Sequence, residues 1–397
     1  AINNSRFKLR ASLSGIAAIL TAILWISSTT DDSIKTGADQ PNEYLSILKG
    51  KQVGLVANQT TVLLPSRQHL ADYLIEEGIA LTRIFAPEHG FRGNHSAGDH
   101  VSNGRDVKTG LPIVSLYGAN KKPQVEQVSD LDYLIFDIQD VGARFYTYIS
   151  TMHYVMQVAA ENDVKVLILD RPNPHGNYTD GPLLEPEFKS FVGMHRVPII
   201  HGMTIGEYAR MINEEGWLGN GLKCNLQIIT VKGWKREDGY SLPIAPSPNL
   251  PNDKSIELYP SLCLFEGTSI SVGRGTQFPF QVYGHPDMKG HFTFTPESIA
   301  GVATHPKHEG KQCQGYDLRM AINDENNHER LNLSYLIGAY KEMGSDDFFS
   351  PFFDKLAGTD ALRKQIASNQ SEESIRASWQ ADLDKFNSIR AKYLLYE

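Results

Sequence analysis

Apolar positions along the chain fall into short continuous runs separated by stretches of helical period. Residues 52–57 (QVGLVA), 81–85, 113–117, 133–137 and 164–169 are rich in Val, Ile, Leu and Phe and carry almost no polar interruption. Such runs read as strands buried on both faces, because a strand with one wet face alternates instead. Residues 69–77 (HLADYLIEE) form an amphipathic helix closed by Gly78, and residues 148–162 place Ile149, Met152, Val155, Met156 and Ala159 on one face of another. Thr204 followed by Glu207 has the spacing of a capping box and opens a further helix. Residues 226–231 read as an edge strand. Strands alternating with helices predict an α/β fold whose parallel sheet is covered on both sides. An α+β arrangement of the same elements is the alternative that spacing leaves open.

After residue 232 the pattern changes. A proline-rich passage (242–251) and a glycine-rich one (265–280) precede a return of helical period over 331–343 and 371–393. No repeat of solenoid or propeller length occurs. The expected organisation is a catalytic α/β domain over 44–232 and a smaller auxiliary domain over 233–397. Ahead of both, Arg6, Lys8 and Arg10 lead into an apolar run at 16–26 and small residues at 27–30. This is the plan of a secretory signal, and the run is shorter than the ~20 residues of a membrane span. Residues 1–30 are therefore expected to direct export to the periplasm or beyond, with no stable membrane span.

In its 397 residues the chain carries 38 Lys and Arg against 46 Asp and Glu, a net charge of −8 with no basic stripe, which argues against a nucleic-acid partner. Cys224, Cys263 and Cys313 are too scattered for a disulfide framework or a C-x-x-C metal site. Neither G-x-G-x-x-G nor G-x-x-x-x-G-K-[ST] occurs, so no nucleotide cofactor is expected. G-x-S-x-G is also absent.

In parallel sheets ligands bind where the strands end at their carboxyl side. Read to those ends, the strands deliver Asn58; then Glu88, His89 and Arg92; then Asp137, Asp140, Arg144 and Tyr146; then Asp170, Arg171 and Asn173. Several polar strand ends together point to one cleft. Glu88 lies between Pro87 and Gly90 on a rigid turn, the placing expected of a carboxyl group that protonates a leaving oxygen. His89 beside it is placed to tune that acid or orient a water, and Asp140 is the companion carboxylate. A metal-dependent amidase or deacetylase using His89 and Asp99, in a stretch that also holds His95 and His100, is an alternative. A non-catalytic glycan-binding protein is another. Gly273-Arg274-Gly275 is a candidate anion nest.

Seven ordered segments carry a resemblance: APEHGFRG (86–93), FDIQDVGARFYTY (136–148), LDRPNPHGN (169–177), DGPLLE (180–185), HGMTIGE (201–207), APSPNLP (245–251) and YPSLCLFEGTSISVGRGT (259–276). Together they resemble the bacterial family labelled DUF1343 and associated with exo-β-N-acetylmuramidases (NamZ type), over nearly the whole chain after residue 30. The resemblance implies a Rossmann-like domain, a smaller C-terminal α+β domain, a cleft between them, and release of terminal N-acetylmuramic acid from peptidoglycan fragments without a cofactor. It adds His201 and Glu266 to the candidate substrate contacts. The lactyl carboxylate of that sugar calls for an arginine fork, for which Arg144, Arg171 and Arg274 are the candidates.

Overall fold

The computed structural model describes residues 33–92, 104–320, 330–344 and 347–397. The signal-like segment and the residues His95, Asp99 and His100 lie outside the described residues. Residues 34–397 form one compact unit.

The chain runs from α1 (Pro41–Leu48) through β1 (Gln52–Ala57), α2 (Leu70–Glu76), β2 (Ala80–Ala86), β3 (Gly104–Arg105), β4 (Pro112–Ser115) and β5 (Tyr133–Asp137). It continues with α3 (Tyr148–Glu161), β6 (Lys165–Leu169), α4 (Ile205–Glu214) and β7 (Leu226–Ile229). These strands make one sheet in the order β3-β4-β2-β1-β5-β6-β7. Every pairing is parallel except that of β3 with β4. The six parallel strands, taken alone, follow the doubly wound order whose direction reverses between β1 and β5. The crevice outside the carboxyl ends of those two strands is where such sheets hold ligands.

Burial explains the uninterrupted apolar runs. Leu134, Phe136, Val166 and Ile168 face one core with α3 and α4. Their neighbours Tyr133, Ile135, Leu167 and Leu169 face the opposite core with α1 and α2. A strand covered on both sides has no polar face to alternate. Thr204 and Glu207 close the expected capping box at the start of α4.

The C-terminal part holds α5 (Asp253–Leu262), a short 3₁₀ helix (Cys263–Gly267), and an antiparallel sheet of β8 (Val282–His285), β9 (Phe292–Phe294) and β10 (Cys313–Asp317) in the order β8-β10-β9. Helices α6 (Ser334–Met343), α7 (Phe352–Ala357), α8 (Ala361–Ala367) and α9 (Glu372–Arg390) follow. Helix α9 buries Ile375, Trp379, Leu383 and Phe386 on one stripe and returns to the first half, where Arg390 donates to the carbonyl of Gly202. No helix among the described residues is long and apolar enough to cross a membrane.

One buried polar pair carries a pH signature. His195 Nε2 and His153 Nδ1 lie 2.9 Å apart, and the His195 ring stacks on Trp217 at 4.7 Å between centroids. Burial, and next the charges of Lys189 and Lys122, depress His153 to about 4; burial and then His153 depress His195 further. Both are held neutral. Their stabilisation is complete above the unfolded value of about 6.5 and is lost as pH falls towards 4, at about 3 kcal/mol for His153 alone. Urea unfolding is expected to show that loss between pH 7 and pH 4.5, and His153→Gln to flatten it. A wild-type stability that does not change over this range contradicts the account.

Candidate active site

A cleft of about 960 Å³ opens at the carboxyl end of the parallel sheet. Its N-terminal wall carries Glu88, Tyr117, Lys121, Phe145, Thr147 and Phe191. Its C-terminal wall carries Tyr259, Glu266, Arg274, His305 and Lys307. A smaller annex of about 60 Å³ adjoins it, sharing Glu88, Phe145, Thr147, Tyr259 and Arg274, and adding His89, Tyr146, Tyr148, Ser247, Asn249, Leu250 and Phe280.

Glu88 stands where strand β2 ends in a tight turn. Gly90 N donates to Pro87 O at 3.0 Å, and His89 adopts a positive φ of 70°. A non-glycine residue there is conformationally costly, so the surrounding contacts must hold it. His89 is buried, and its Nε2 lies 3.2 Å from Ser247 Oγ in the proline-rich passage. The Glu88 side chain is left half-buried between the two cavities, with Thr147 Oγ1 at 3.4 Å from its Oε2.

Across the cleft, Arg274 Nε donates to Glu266 Oε2 at 3.1 Å, and the guanidinium lies 4.9 Å from the ring centroid of Phe280. Burial opposes its charge, but Glu266 outweighs it and keeps Arg274 charged. That bond through Nε leaves the two terminal nitrogens of the fork for a ligand. Lys307 is committed to structure, with Nζ donating to the carbonyls of Phe265, Thr268 and Ile270 and so tying down the turn before Arg274.

Several expected site residues are elsewhere, and the reason is the same for each: buried polar groups find partners within the protein. Arg171 forms a bidentate pair with Asp137 at 2.6 and 2.9 Å and donates to Val62 O. Asp170 accepts from Arg171 N, Gly206 N, Thr204 Oγ1 and Tyr396 Oη, which anchors the start of α4 and the C-terminal tail. Asn173 bridges Met203 O and His175 N. Asp140 accepts from Gly142 N, with His201 Nε2 3.6 Å away, and His201 Nδ1 accepts from Met203 N. Asn58 binds Thr60 through its Oδ1. Arg92 pairs with Asp106 and Asp72 outside both cavities. Tyr146 lines the annex, but its hydroxyl is used on Pro246 O.

Arg144 is the clearest correction. Its guanidinium is fully buried and donates to the carbonyls of Pro182, Val197, Leu356 and Ala357. Two of these are at the carboxyl end of α7, where a cation is favoured. Arg144 staples the two walls of the cleft together and cannot read a ligand. The sequence reading also passed over Tyr117, Lys121, Phe145, Thr147, Tyr259 and Lys307. Phe145, Thr147 and Tyr259 sit inside the quoted motifs. Tyr117, Lys121 and Lys307 have no local signal, because only tertiary folding brings their loops to the cleft.

Two family models cover the chain: the exo-β-N-acetylmuramidase NamZ N-terminal domain over residues 53–254 and the corresponding C-terminal domain over residues 257–396. The chain belongs to the NamZ family. It is similar to the peptidoglycan β-N-acetylmuramidase NamZ of Bacillus subtilis (strain 168), with 42% identity over 384 residues and 91% of each chain covered. A DUF1343 family protein of Bacteroides fragilis NCTC 9343, solved at 1.30 Å, shares 47% identity with a TM-score of 0.85 over 92% of this chain and 99% of its own. A second DUF1343 protein of that organism, solved at 1.65 Å, shares 30% identity with a TM-score of 0.79 over the same shares. The family is one of glycosidases, and its members share this α/β sheet with a smaller C-terminal part.

The role of Arg144 can be separated from ligand binding. Arg144→Met and Arg144→Lys are both expected to lower unfolding stability, the former by about 3–5 kcal/mol, since neither satisfies carbonyls on three segments. Unfolding followed by circular dichroism measures this. A lysine variant of wild-type stability but raised KM would restore Arg144 to the ligand site.

Proposed function

We propose that this chain is an exported exo-acting glycosidase that releases terminal N-acetylmuramic acid from peptidoglycan fragments, with Glu88 as its general acid. The observation that carries the reading is the position of Glu88: it is the carboxyl group shared by the cleft and its annex, on a braced turn at the ligand end of the sheet. The family supports the reaction, since the B. subtilis relative is a peptidoglycan β-N-acetylmuramidase. The signal-like residues 1–30 support export to the compartment that holds such a substrate.

In this mechanism a terminal sugar enters the cleft with its glycosidic oxygen at Glu88. The carboxyl proton passes to that oxygen as the bond to the anomeric carbon breaks; a water then adds its hydroxyl to that carbon and its proton returns to the Glu88 carboxylate. A positioned acid contributes roughly 10²- to 10⁴-fold. Thr147 orients the carboxyl group, and His89 fixes the turn through Ser247. Arg274 takes the lactyl carboxylate through its terminal nitrogens while Nε stays on Glu266. Lys121 on the opposite wall adds to a field suited to an anion.

Glu88→Gln keeps the shape of the side chain and removes its proton. Turnover of a natural muropeptide disaccharide is expected to fall about 10²- to 10⁴-fold with binding retained, and less for a nitrophenyl glycoside, whose leaving group needs little protonation. Near-normal kcat on the disaccharide would make Glu88 structural.

Arg274→Gln is expected to raise KM for muramic acid glycosides and to erase their preference over N-acetylglucosamine glycosides, which lack the lactyl group. The loss corresponds to about 2–5 kcal/mol for a buried charge pair left with one partner. Equal wild-type activity on both sugars would remove this role from Arg274.

A further inference from the structure

The annex has a composition that the proton-transfer step does not use. Tyr148 and Asn249 both line it, and both are almost completely buried. Among the described residues, Asn249 Oδ1 has no hydrogen-bond partner, and the Tyr148 hydroxyl lies against the side chains of Asn58 and Tyr146 with no acceptor for its own proton. The orientation of the Asn249 amide is set, because its Nδ2 donates to Val302 O at 2.8 Å and its backbone N donates to Ser247 Oγ. Oδ1 is therefore an acceptor and the Tyr148 hydroxyl an available donor. Buried polar atoms left in this state cost stability unless a ligand satisfies them. The remaining lining is apolar, from Phe145, Leu250, Tyr259 and Phe280.

We propose that this annex is the pocket for the 2-acetamido group of the sugar. Asn249 Oδ1 accepts the amide N–H, Tyr148 Oη donates to the amide carbonyl, and the aromatic and leucine side chains enclose the methyl group. The size fits: the annex, at about 60 Å³ against about 960 Å³ for the cleft, is on the scale of a small substituent. The location fits as well, because the annex opens beside Glu88 and Arg274, which belong to both cavities. This assignment rests on the sugar hydrolase reading above and adds which substituent is read and by which atoms.

The test varies the substrate first, so that it needs no mutant. Muramic acid β-glycosides bearing N-acetyl, N-butanoyl or a 2-hydroxyl group in place of the amide are compared with the wild-type protein. The N-acetyl compound is expected to exceed the 2-hydroxyl one by roughly 10²-fold or more in kcat/KM, since the latter leaves two buried polar groups unpaired. The N-butanoyl compound should be rejected by size. Tyr148→Phe and Asn249→Leu, checked for folding by thermal unfolding, should each shrink the N-acetyl to 2-hydroxyl ratio about tenfold. Comparable rates on N-acetyl and 2-hydroxyl substrates, or variants that lower both rates equally, overturn the proposal while leaving the glycosidase reading intact. Absence of turnover on every muramic acid glycoside instead sinks the glycosidase reading. Calorimetry with free N-acetylmuramic acid and its 2-hydroxy counterpart then still reads the pocket, and equal or absent binding overturns it.

Discussion

The cleft exists because one cation is buried without a carboxylate. Arg144 spends its terminal nitrogens on four backbone carbonyls, drawn from the loops around Pro182 and Val197 and from the carboxyl end of α7. Burial pushes its pKa down to about 9, so the site tolerates the charge only through those dipoles. The residues on either side of this staple, Phe145 and Leu356, both line the cleft. The two walls are thus held at a fixed spacing by a group that never meets the ligand.

A similar economy governs the sheet. At the reversal point, where doubly wound sheets hold their ligands, the polar strand ends have been turned inward. Asp137 with Arg171, and Asp170 with Thr204, Gly206 and Tyr396, form a girder beneath the crevice. Two effects compete there: desolvation raises the pKa of Asp137, and the Arg171 charge pulls against it. Such a pair adds little net stability over an apolar one, but removing one partner is costly, so it fixes geometry more than it adds energy. The carboxyl group that reaches the cleft stands one strand outward, at the end of β2, where Glu88 stays half-buried.

The opposite wall holds Glu266, Arg274 and Lys307. Arg274 is aimed by Glu266 and Phe280, and its turn is tied down by Lys307. The annex adjoins the cleft at Glu88 and Arg274, so the half-buried carboxyl group, the guanidinium and the smaller pocket all meet at one point. Hydrogen bonds with neighbouring residues hold each in place: Thr147 on Glu88, Glu266 on Arg274 and Val302 on Asn249, which is how a cleft keeps groups in fixed register.

Periodicity in the sequence was enough to place β1, β2, β4, β5, β6 and β7 and the helices α2, α3, α4, α6 and α9 within a few residues, because those signals are local and the two-sided burial of the strands writes itself directly into apolar runs. The turn Pro87-Glu88-His89-Gly90 and the segment with Glu266 and Arg274 were legible for the same reason: each is a short, conformationally special stretch. The antiparallel β8-β10-β9 sheet was not, because its strands are only three to five residues long and carry little apolar pattern. Nor could the chain alone say which polar strand ends face a ligand. Asp137 and Asp140 lie in the same motif as Phe145 and Thr147, and only the packing of β6, α7 and the tail around them turns the carboxylates inward and leaves the latter two at the cleft. Direction of a polar side chain is a property of its neighbours in space, and for Asp137 and Asp140 those include Arg171 and His201, which folding alone brings alongside.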